Sequence, residues 1–300
     1  MTPVRSWLPI AKKQMLATVD GGPGIRKGLS EVAEGAGPAE SASSVWKDPG
    51  LVKQYLLQAR KGLPLAQIQL DVMMRVVSGA KNASQLGEQP VRNFLDLGCG
   101  DGILAATILE KYPQAKGTLV DFSMPMIRAA IRNLQAYSKS LHISSVDYSD
   151  PAWFDIISAH APFDVVVSGF SIHHQPDPVK SQLYLDIFDL LEPGGVFVNI
   201  EHVSSATPYI EALYDDYFID SLWASQLTEG EALTRDQVAY DYRKREDKKA
   251  NILAPVELQC DWLRRIGFED VDCYFKVFEL AVFGGRRPRP SVEDEDWTSN

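Results

Sequence analysis

The sequence has few cysteines and no long hydrophobic run. Its 300 residues include three cysteines, Cys99, Cys260 and Cys273, none of which forms a Cys-x-x-Cys pair. This argues against a disulfide scaffold and favours a reducing compartment, so we expect a cytoplasmic protein. No apolar run approaches the roughly 18 residues that a membrane span requires. We therefore expect no membrane partner.

Positive charge is also scarce. Lys and Arg together number 30 against 40 Asp and Glu, which gives a formal net charge of −10. A field of this sign repels nucleic-acid backbones, and no dense Lys/Arg block offsets it. We expect a small-molecule partner and no nucleic acid, and the sequence leaves open whether the protein is a monomer or a homodimer.

Composition and periodicity divide the chain into segments. Residues 17–50 are rich in Gly, Ala, Ser, Pro and Glu and lack periodicity, so we predict a flexible leader over 1–50, whose role the sequence does not reveal. The predicted segments after it are N-terminal helices covering a site (51–90), a ligand-binding core (91–203), a helical lid (204–254), a closing helix with antiparallel strands (255–286) and a polar tail (287–300).

From Val91 onward, short apolar runs alternate with helical patterns, which is typical of an α/β fold with a mostly parallel, doubly wound sheet. Two late runs, 268–277 and 279–284, are joined too tightly for a helical crossover and should pair antiparallel. The strand candidates before them are 91–97, 117–122, 141–147, 163–168 and 195–201. The helices predicted between those strands are 102–112, 124–138, 151–159 and 177–191.

A glycine-rich loop follows the first strand in "FLDLGCGDG". Gly98, Gly100 and Gly102 allow positive φ and let a ligand approach the backbone, and the next helix offers free N–H groups. Nicotinamide and flavin folds use the spacing G-x-G-x-x-G, whereas this loop has G-x-G-x-G. Asp96, just before the loop, would repel a phosphate and suits a positive group such as an ammonium.

Further side chains for a ligand follow the next two strands. Asp121 ends a strand about 20 residues after the glycines, where an acid reaches ribose hydroxyls. Phe122 and Met126 beside it could pack on an adenine. Asp147 ends the third strand and could accept a hydrogen bond from an adenine amino group, or could cap the following helix. Together these residues predict a site for a nucleoside that carries a charged amino acid and no phosphate.

The ordered motifs resemble those of the class I S-adenosylmethionine-dependent methyltransferases. They read "FLDLGCGDG", "LVDFS", "SVDYSD", "FDVVVSGFSIHH" and "LLEPGGVFVNIEHV", and the stretch "WLRRIGFEDVDCYFKVFELAVFGGRRP" resembles the closing helix and strands of that family. The match covers about residues 91–203 and 255–286.

The resemblance implies a Rossmann-like sheet of seven strands with an antiparallel last strand, an enzyme of the methyltransferase class, and S-adenosylmethionine as its cofactor. It places the glycine loop along the methionine and ribose, Asp121 on the ribose hydroxyls, Asp147 and Tyr148 at the adenine, and Ser168 and Gly169 near the methionine. The candidate cofactor-binding residues are then Asp96, Gly98, Cys99, Gly100, Gly102, Asp121, Phe122, Met126, Asp147, Tyr148, Ser168 and Gly169.

Histidines and a carboxylate supply candidates for a general base. His173 and His174 follow the fourth strand, and Glu201 and His202 end the fifth, so all four should reach the carboxyl edge. We hypothesise that His173 or His174 removes a proton and that Glu201 or His202 assists it. The alternatives are that the His-His pair only organises its loop, or that three imidazoles bind a metal; we predict no metal.

The segment 204–250 is the predicted lid over the acceptor. Its aromatic residues could line an acceptor pocket, and Tyr214 and Tyr217 are the candidates, although packing against the sheet explains most aromatic residues there. The run "DYRKREDKK" over 241–249 is predicted to be a solvated face.

The sequence favours methyl transfer to an oxygen, a nitrogen or a carbon atom of a small molecule, and it identifies neither the acceptor nor its atom. One alternative is an NAD-dependent Rossmann oxidoreductase, which shares Asp121 but not the glycine spacing. A second is an α/β-hydrolase with Ser171 as nucleophile, although His173 replaces the second glycine of G-x-S-x-G. A third is a non-catalytic binder of S-adenosylmethionine or of a carboxylated analogue.

Overall fold

The computed structural model describes residues 42–59, 62–82, 90–228 and 233–290. Most of the predicted leader and tail, two short stretches within the predicted segment of N-terminal helices (60–61 and 83–89) and a short stretch within the predicted lid lie outside these residues. No helix in the described ranges combines the length and hydrophobicity needed to cross a bilayer.

A seven-stranded sheet forms the centre of the structure, in the order β3-β2-β1-β4-β5-β7-β6, and β7 runs antiparallel to both of its neighbours. The predicted α/β fold with one antiparallel strand is therefore confirmed. The strands are β1 (Asn93–Leu97), β2 (Lys116–Asp121), β3 (Leu141–Ser145), β4 (Phe163–Gly169), β5 (Leu191–His202), β6 (Glu269–Val277) and β7 (Leu280–Arg286).

Helices cover both faces of the sheet. Before the sheet come a 3₁₀ helix (Ala42–Lys47), α1 (Pro49–Gln54), a π-helical turn (Tyr55–Ala59) and α2 (Ala66–Asn82). The crossover helices are α3 (Ile103–Lys111), α4 (Met124–Asn133), α5 (Trp153–Ser158) and α6 (Asp177–Leu190). After β5 come α7 (Pro208–Thr228), α8 (Arg235–Arg243) and α9 (Val256–Ile266). Short 3₁₀ helices also occur at Gln135–Tyr137, Ile172–His174 and Glu246–Ala250.

Alternating side chains of the central strands belong to two separate hydrophobic cores. On β1, Leu95 and Leu97 face one core, whereas Phe94 faces the other. The strands β1, β2, β4 and β5 are buried on both faces and are largely apolar, as expected in a parallel sheet, whereas the edge strands β3 and β6 are only partly buried. A third, smaller core lies where α7 and α8 pack together, around Phe218 and Tyr242.

The strand order reverses between β1 and β4. The chain passes outward from β1 to β2 and β3 and then returns to β4 on the other side of β1. In such sheets the loops on either side of this point separate and leave a crevice at the carboxyl ends of the strands. The glycine loop after β1 and the Ser171–His174 turn after β4 border that crevice.

Residues 42–50, which the sequence assigned to the flexible leader, are helical. Asp48 caps α1 by accepting a hydrogen bond from the Leu51 N–H at 2.7 Å. This segment approaches the carboxyl edge of the sheet, because the Ser123 hydroxyl donates to the Trp46 carbonyl at 2.6 Å. The chain between 42 and 59 therefore forms one wall of the crevice.

Candidate functional site

A cavity of about 320 Å³ lies at the carboxyl edge, between the sheet and the N-terminal helices. Of the residues that the sequence proposed for a cofactor, it is lined by Asp96, Gly98, Cys99, Gly100, Asp121, Phe122, Met126 and Gly169. Other lining residues are Trp46, Tyr55, Leu63, Gln69, Leu70, Leu104, Ser123, Phe170, Ser171, His174 and Ile200. We call this space the main cavity.

The glycine loop is held in a conformation that suits glycine. Gly98, Gly100 and Gly102 have φ values of +67°, +54° and +85°, in the left-handed region that other residues rarely adopt. A Cβ atom on Gly98 would lie 1.9 Å from the Ser171 Oγ. The absence of a side chain therefore lets the loop after β1 touch the turn after β4.

Asp96 ties the loop to the helix that follows it. Its side chain is fully buried, and Oδ2 accepts a hydrogen bond from the Ala105 N–H in the first turn of α3 at 3.1 Å. A carboxylate near a helix N-terminus is stabilised by the free N–H groups there. Asp96 thus fixes the start of α3 while lining the main cavity.

Asp121 clamps two backbone segments at the end of β2. Its Oδ2 accepts from the Gly100 N–H at 2.9 Å, and its Oδ1 accepts from the Ser123 N–H at 2.8 Å. Burial, with a smaller contribution from the charge of Asp147, nevertheless raises the pKa of Asp121 to about 6, although the two N–H donors oppose the increase. The protein therefore holds a destabilised carboxylate at the wall of the main cavity.

Four of the proposed cofactor residues do not line the main cavity. Gly102 lies behind the loop, and the Ser168 hydroxyl donates to the Leu97 carbonyl at 2.8 Å. Asp147 is exposed and accepts from the N–H and the hydroxyl of Ser149, and it does not cap α5. Tyr148 is buried, and its hydroxyl lies 2.6 Å from the Ser171 hydroxyl.

A second, smaller space of about 70 Å³ adjoins the main cavity. The two share one wall, made of Trp46, Tyr55, Leu63, Phe170 and His174. We call the smaller space the polar compartment. Its remaining lining residues are His173, His202, Tyr214, Phe218, Tyr242, Arg245, Asp247, Lys248 and Asn251.

His173 is paired with Glu201. The His173 Nδ1 lies 2.6 Å from Glu201 Oε1, and both side chains are buried. Glu201 also accepts from the backbone N–H groups of His173 and His202, at 3.1 and 2.9 Å, and from Asn199 Nδ2 at 3.4 Å. These three N–H donors need the lone pairs of an ionised carboxylate. The fourth contact, to the His173 ring, is therefore a hydrogen bond in which His173 donates its Nδ1–H.

Burial opposes charge on both members of this pair. It lowers the pKa of His173 well below its usual value, and the nearby His202 lowers it further. It also raises the pKa of Glu201 to about 7. The resting imidazole is therefore neutral, with its proton on Nδ1 and a lone pair on Nε2.

His174 has both ring nitrogens engaged. Nδ1 lies 3.0 Å from the Ala250 carbonyl, which can only accept, so Nδ1 carries the proton. Nε2 then accepts from the Trp46 indole N–H at 3.2 Å. Burial, followed by the proximity of His173, lowers the pKa of His174 to about 3. The neutral ring thus connects the wall segment around Trp46 to the turn after β4.

His202 is also held at both nitrogens. Its Nε2 lies 2.7 Å from Glu279 Oε2, and its Nδ1 lies 3.5 Å from Asn251 Nδ2. A hydrogen bond with Asn251 partly offsets the lowering of the His173 pKa that burial causes. Asn251 therefore links the two imidazoles across the polar compartment.

The loop that carries Asn251 is fastened to the His-His turn. The Ile252 N–H donates to the His173 carbonyl at 2.9 Å. Lys180, which is fully buried, donates to the Ile252 carbonyl and forms an ion pair with Asp177 at 2.7 Å. A buried ammonium requires such partners. Lys180 thus holds this loop in place and keeps Asn251 in the polar compartment.

The charged run over 241–249 is a solvated face only in part: Asp241, Arg243, Lys244, Glu246 and Lys249 are exposed, as predicted, whereas three other charged residues are not. Arg245 pairs with Asp247 through Nε at 3.0 Å and through Nη2. The Lys248 Nζ lies 3.1 Å from Asp215 and 4.1 Å from the centre of the Tyr242 ring. Arg245, Asp247 and Lys248 are only partly exposed and line the polar compartment.

The two tyrosines proposed for the acceptor have different surroundings. Tyr214 is buried, lines the polar compartment and lies 5.4 Å from the His202 ring between centroids. Tyr217 packs on Phe278 at 5.9 Å and lines neither space. Sequence reasoning missed Trp46, Gln69, Arg245, Lys248 and Asn251. Only the aromatic character of Trp46 within a polar stretch offered a signal.

No group of three or more His, Cys, Asp or Glu side chains in the described part of the chain is arranged to hold a metal ion. The three imidazoles around the polar compartment have their donors and acceptors matched to carboxylates, a carbonyl, an indole and an amide instead.

Comparisons with known proteins agree with this geometry. Residues 94–195 match a family model described as a methyltransferase domain. An uncharacterized methyltransferase of Mycobacterium bovis is 35% identical over 123 residues, which cover 40% of this chain and 53% of that protein. The chain thus spans about half the length of this relative.

Two further comparisons extend over more of the chain. A ubiquinone/menaquinone biosynthesis C-methyltransferase of Desulfotalea psychrophila is 24% identical over 245 residues, or 79% of this chain and 89% of that protein. The solved structure of an O-methyltransferase family protein from Burkholderia thailandensis superposes with a TM-score of 0.52 at 17% identity. That superposition covers 73% of this chain and 56% of the other, and it shows that the fold is the same.

The raised pKa of Asp121 predicts a pH-dependent stability. Because its pKa is higher in the folded than in the unfolded protein, its contribution to stability is complete below about pH 4 and is lost as the pH rises through about 6. Asp121→Asn cannot titrate. We expect the difference in free energy of unfolding, variant minus wild type, to increase by on the order of 1–3 kcal/mol between pH 4 and pH 7.

Chemical denaturation at a series of pH values, without ligand, measures this difference. Asp261→Asn, on the exposed face of α9, is the matched control and should show no such gain. Parallel stability curves for Asp121→Asn and the wild type would contradict the account of Asp121.

Proposed function

We propose that the chain, whose residues 94–195 match a methyltransferase domain, is a class I S-adenosylmethionine-dependent methyltransferase, that its main cavity holds S-adenosylmethionine, and that a small molecule receives the methyl group beside the polar compartment. The observation that carries this proposal is the shared wall between the two spaces. On one side of the wall lie the glycine loop and Asp121, on the other lie the imidazoles of His173 and His202, and the imidazole of His174 is part of the wall itself.

The residues of the main cavity fit the cofactor. A volume of about 320 Å³ is within the range of small-molecule sites. The Gln69 Oε1 is buried in this lining and accepts no hydrogen bond from the described residues, although its Nε2 donates to the Pro64 carbonyl at 2.9 Å. Buried acceptors in folded proteins are normally satisfied. An ammonium or hydroxyl group of the ligand would supply the donor.

We assign roles to the lining residues on this basis. The remaining lone pairs of Asp121 accept the ribose hydroxyls, and Phe122 and Met126 pack on the adenine. The glycine loop follows the methionine portion, with Asp96 and Cys99 beside it and Gly169 opposite. Asp147, Tyr148, Ser168 and Gly102 lie outside the lining. Tyr148 and Ser168 support it indirectly, because Tyr148 holds Ser171 and Ser168 holds the end of β1.

When bound, S-adenosylmethionine supplies a methyl group on a positively charged sulfur, which keeps the electron pair of the broken carbon–sulfur bond. The protein must then orient the acceptor, exclude water and remove a proton where the acceptor has one. The wall residues Trp46, Tyr55, Leu63 and Phe170 are mostly apolar, and the two spaces adjoin along them.

We propose His173 as the general base. His174 uses both nitrogens to hold Ala250 and Trp46, and His202 uses both to hold Glu279 and Asn251. His173 donates Nδ1–H to Glu201, and its Nε2, beside Asn251, is the nitrogen that would take an acceptor's proton. Glu201 orients the ring and stabilises the positive charge that it gains, and the bond with Asn251 also favours the protonated form. Tyr214 lies beside the acceptor, and the surroundings of Tyr217 do not support a contact.

The other functions fit these features less well. An oxidoreductase would need the G-x-G-x-x-G spacing that this loop lacks. A hydrolase would need a base on Ser171, whose hydroxyl pairs with Tyr148 instead. A non-catalytic binder of S-adenosylmethionine or its carboxylated analogue would use the same main cavity. It would not require the His173–Glu201 pair beside that cavity.

We further propose that the protein acts in the cytoplasm on a small molecule and binds no nucleic acid. Cys99, Cys260 and Cys273 are free thiols, which suits a reducing compartment. The net charge of −10 opposes binding to a phosphate backbone. A monomer and a homodimer are both compatible with a site built from a single chain.

Asp121→Ala tests the cofactor assignment. Loss of a charged acceptor should weaken S-adenosylmethionine binding by about 1–3 kcal/mol, measured by isothermal titration calorimetry. Asp261→Ala should bind the cofactor as the wild type does. If Asp121→Ala keeps full affinity, Asp121 does not hold the ribose.

His173→Ala tests the base. We expect its turnover to fall by about 10²–10⁴-fold with little change in cofactor affinity, followed as transfer of labelled methyl groups from S-adenosylmethionine to the small molecules of a cell extract. His160→Ala is the matched control, because His160 stacks on His142 and lines neither space. His174→Ala should also lose activity through the freed Trp46. Full activity of both the His173 and His174 variants would refute the role of this turn.

A further inference from the structure

The polar compartment has a distinctive set of charges. Two cations, Arg245 and Lys248, line it together with one carboxylate, Asp247. Asp215, the partner of Lys248, is not part of the lining. Glu201 and Glu279 stand behind His173 and His202, which present their rings to the compartment.

Both cations keep donors that their ion pairs do not use. The pair with Asp247 engages Nε and Nη2 of Arg245 and leaves Nη1. The pair with Asp215 engages one N–H of the Lys248 ammonium, which carries three. The compartment therefore offers N–H donors on cations and, at His173 Nε2 beside Asn251, a nitrogen that can take a proton.

The size of the compartment limits what enters it. Its volume is about 70 Å³, whereas an apolar cavity of about 150 Å³ holds a benzene molecule. A ring does not fit, but a hydroxyl or carboxyl group does. The rest of the acceptor would lie against the shared wall, where Trp46, Tyr55 and Phe170 offer aromatic surface.

We propose that the acceptor is an acid whose oxygen, from a carboxyl or phenolic hydroxyl group, enters the polar compartment and receives the methyl group. This inference rests on the proposed function and names the class of its acceptor. Any proton on the oxygen passes to His173 Nε2, and the negative oxygen is held by Arg245 and Lys248 until its electron pair forms the bond to the methyl carbon. An amine is disfavoured, because its ammonium form would face two cations.

Binding of three matched probes tests the proposal without methyl transfer. Benzoate, benzamide and benzylamine share a ring and differ in charge. On protein saturated with S-adenosylhomocysteine, calorimetry should show benzoate binding at least about tenfold more tightly than benzamide, and benzylamine binding more weakly than either. Lys248→Met should remove most of the preference. Lys249→Met, whose exposed ammonium pairs with Glu246 outside the compartment, should keep it.

Equal affinity for the three probes, no binding of benzoate, or an unchanged preference in Lys248→Met would overturn the proposal. The labelled product from a cell extract gives a second readout: a methyl ester or methyl ether supports it, and an N-methyl or C-methyl product refutes it. If no methyl group is transferred while benzoate still binds selectively, the proposed function fails and the acid site stands.

Discussion

The buried carboxylate of Glu201 is the interaction on which the acceptor side of the site depends. It receives N–H groups from the turn after β4, from its own strand and from the His173 ring. A buried charge that lost these donors would be strongly destabilising. Glu201 therefore fixes the His173–His174 turn against β5, and it also sets the tautomer that leaves a lone pair on His173.

The turn held by Glu201 joins the acceptor side to the cofactor side through Trp46. The Trp46 indole donates to His174, and its carbonyl accepts from Ser123, which follows Asp121. One residue of the N-terminal wall thus contacts both the strand end that holds Asp121 and the turn that holds His173. We infer that the wall between the two spaces and the shape of the main cavity depend on the same contacts.

The sequence predicted the lining of the main cavity better than that of the polar compartment, for a physical reason. The glycine loop and Asp121 belong to the ends of adjacent strands, and strand order follows from the alternation of apolar runs and helices. The Trp46–His174 bond joins residues 128 positions apart, and the one local signal, an aromatic residue within a polar stretch, does not reveal that partner. Arg245 and Lys248 were interpreted as a solvated face, because a charge run does not reveal which of its members turn inward. Asn251 reaches the compartment only because buried Lys180 fastens its loop.

The central claim is that the cofactor's sulfur faces the wall shared with the polar compartment. A crystal structure of the protein with S-adenosylhomocysteine tests it most directly. We predict that the ribose hydroxyls bond to Asp121 and that the sulfur lies at the wall formed by Trp46, Phe170 and His174. A ligand that places its adenine at this wall, or that binds outside the main cavity, would contradict the account.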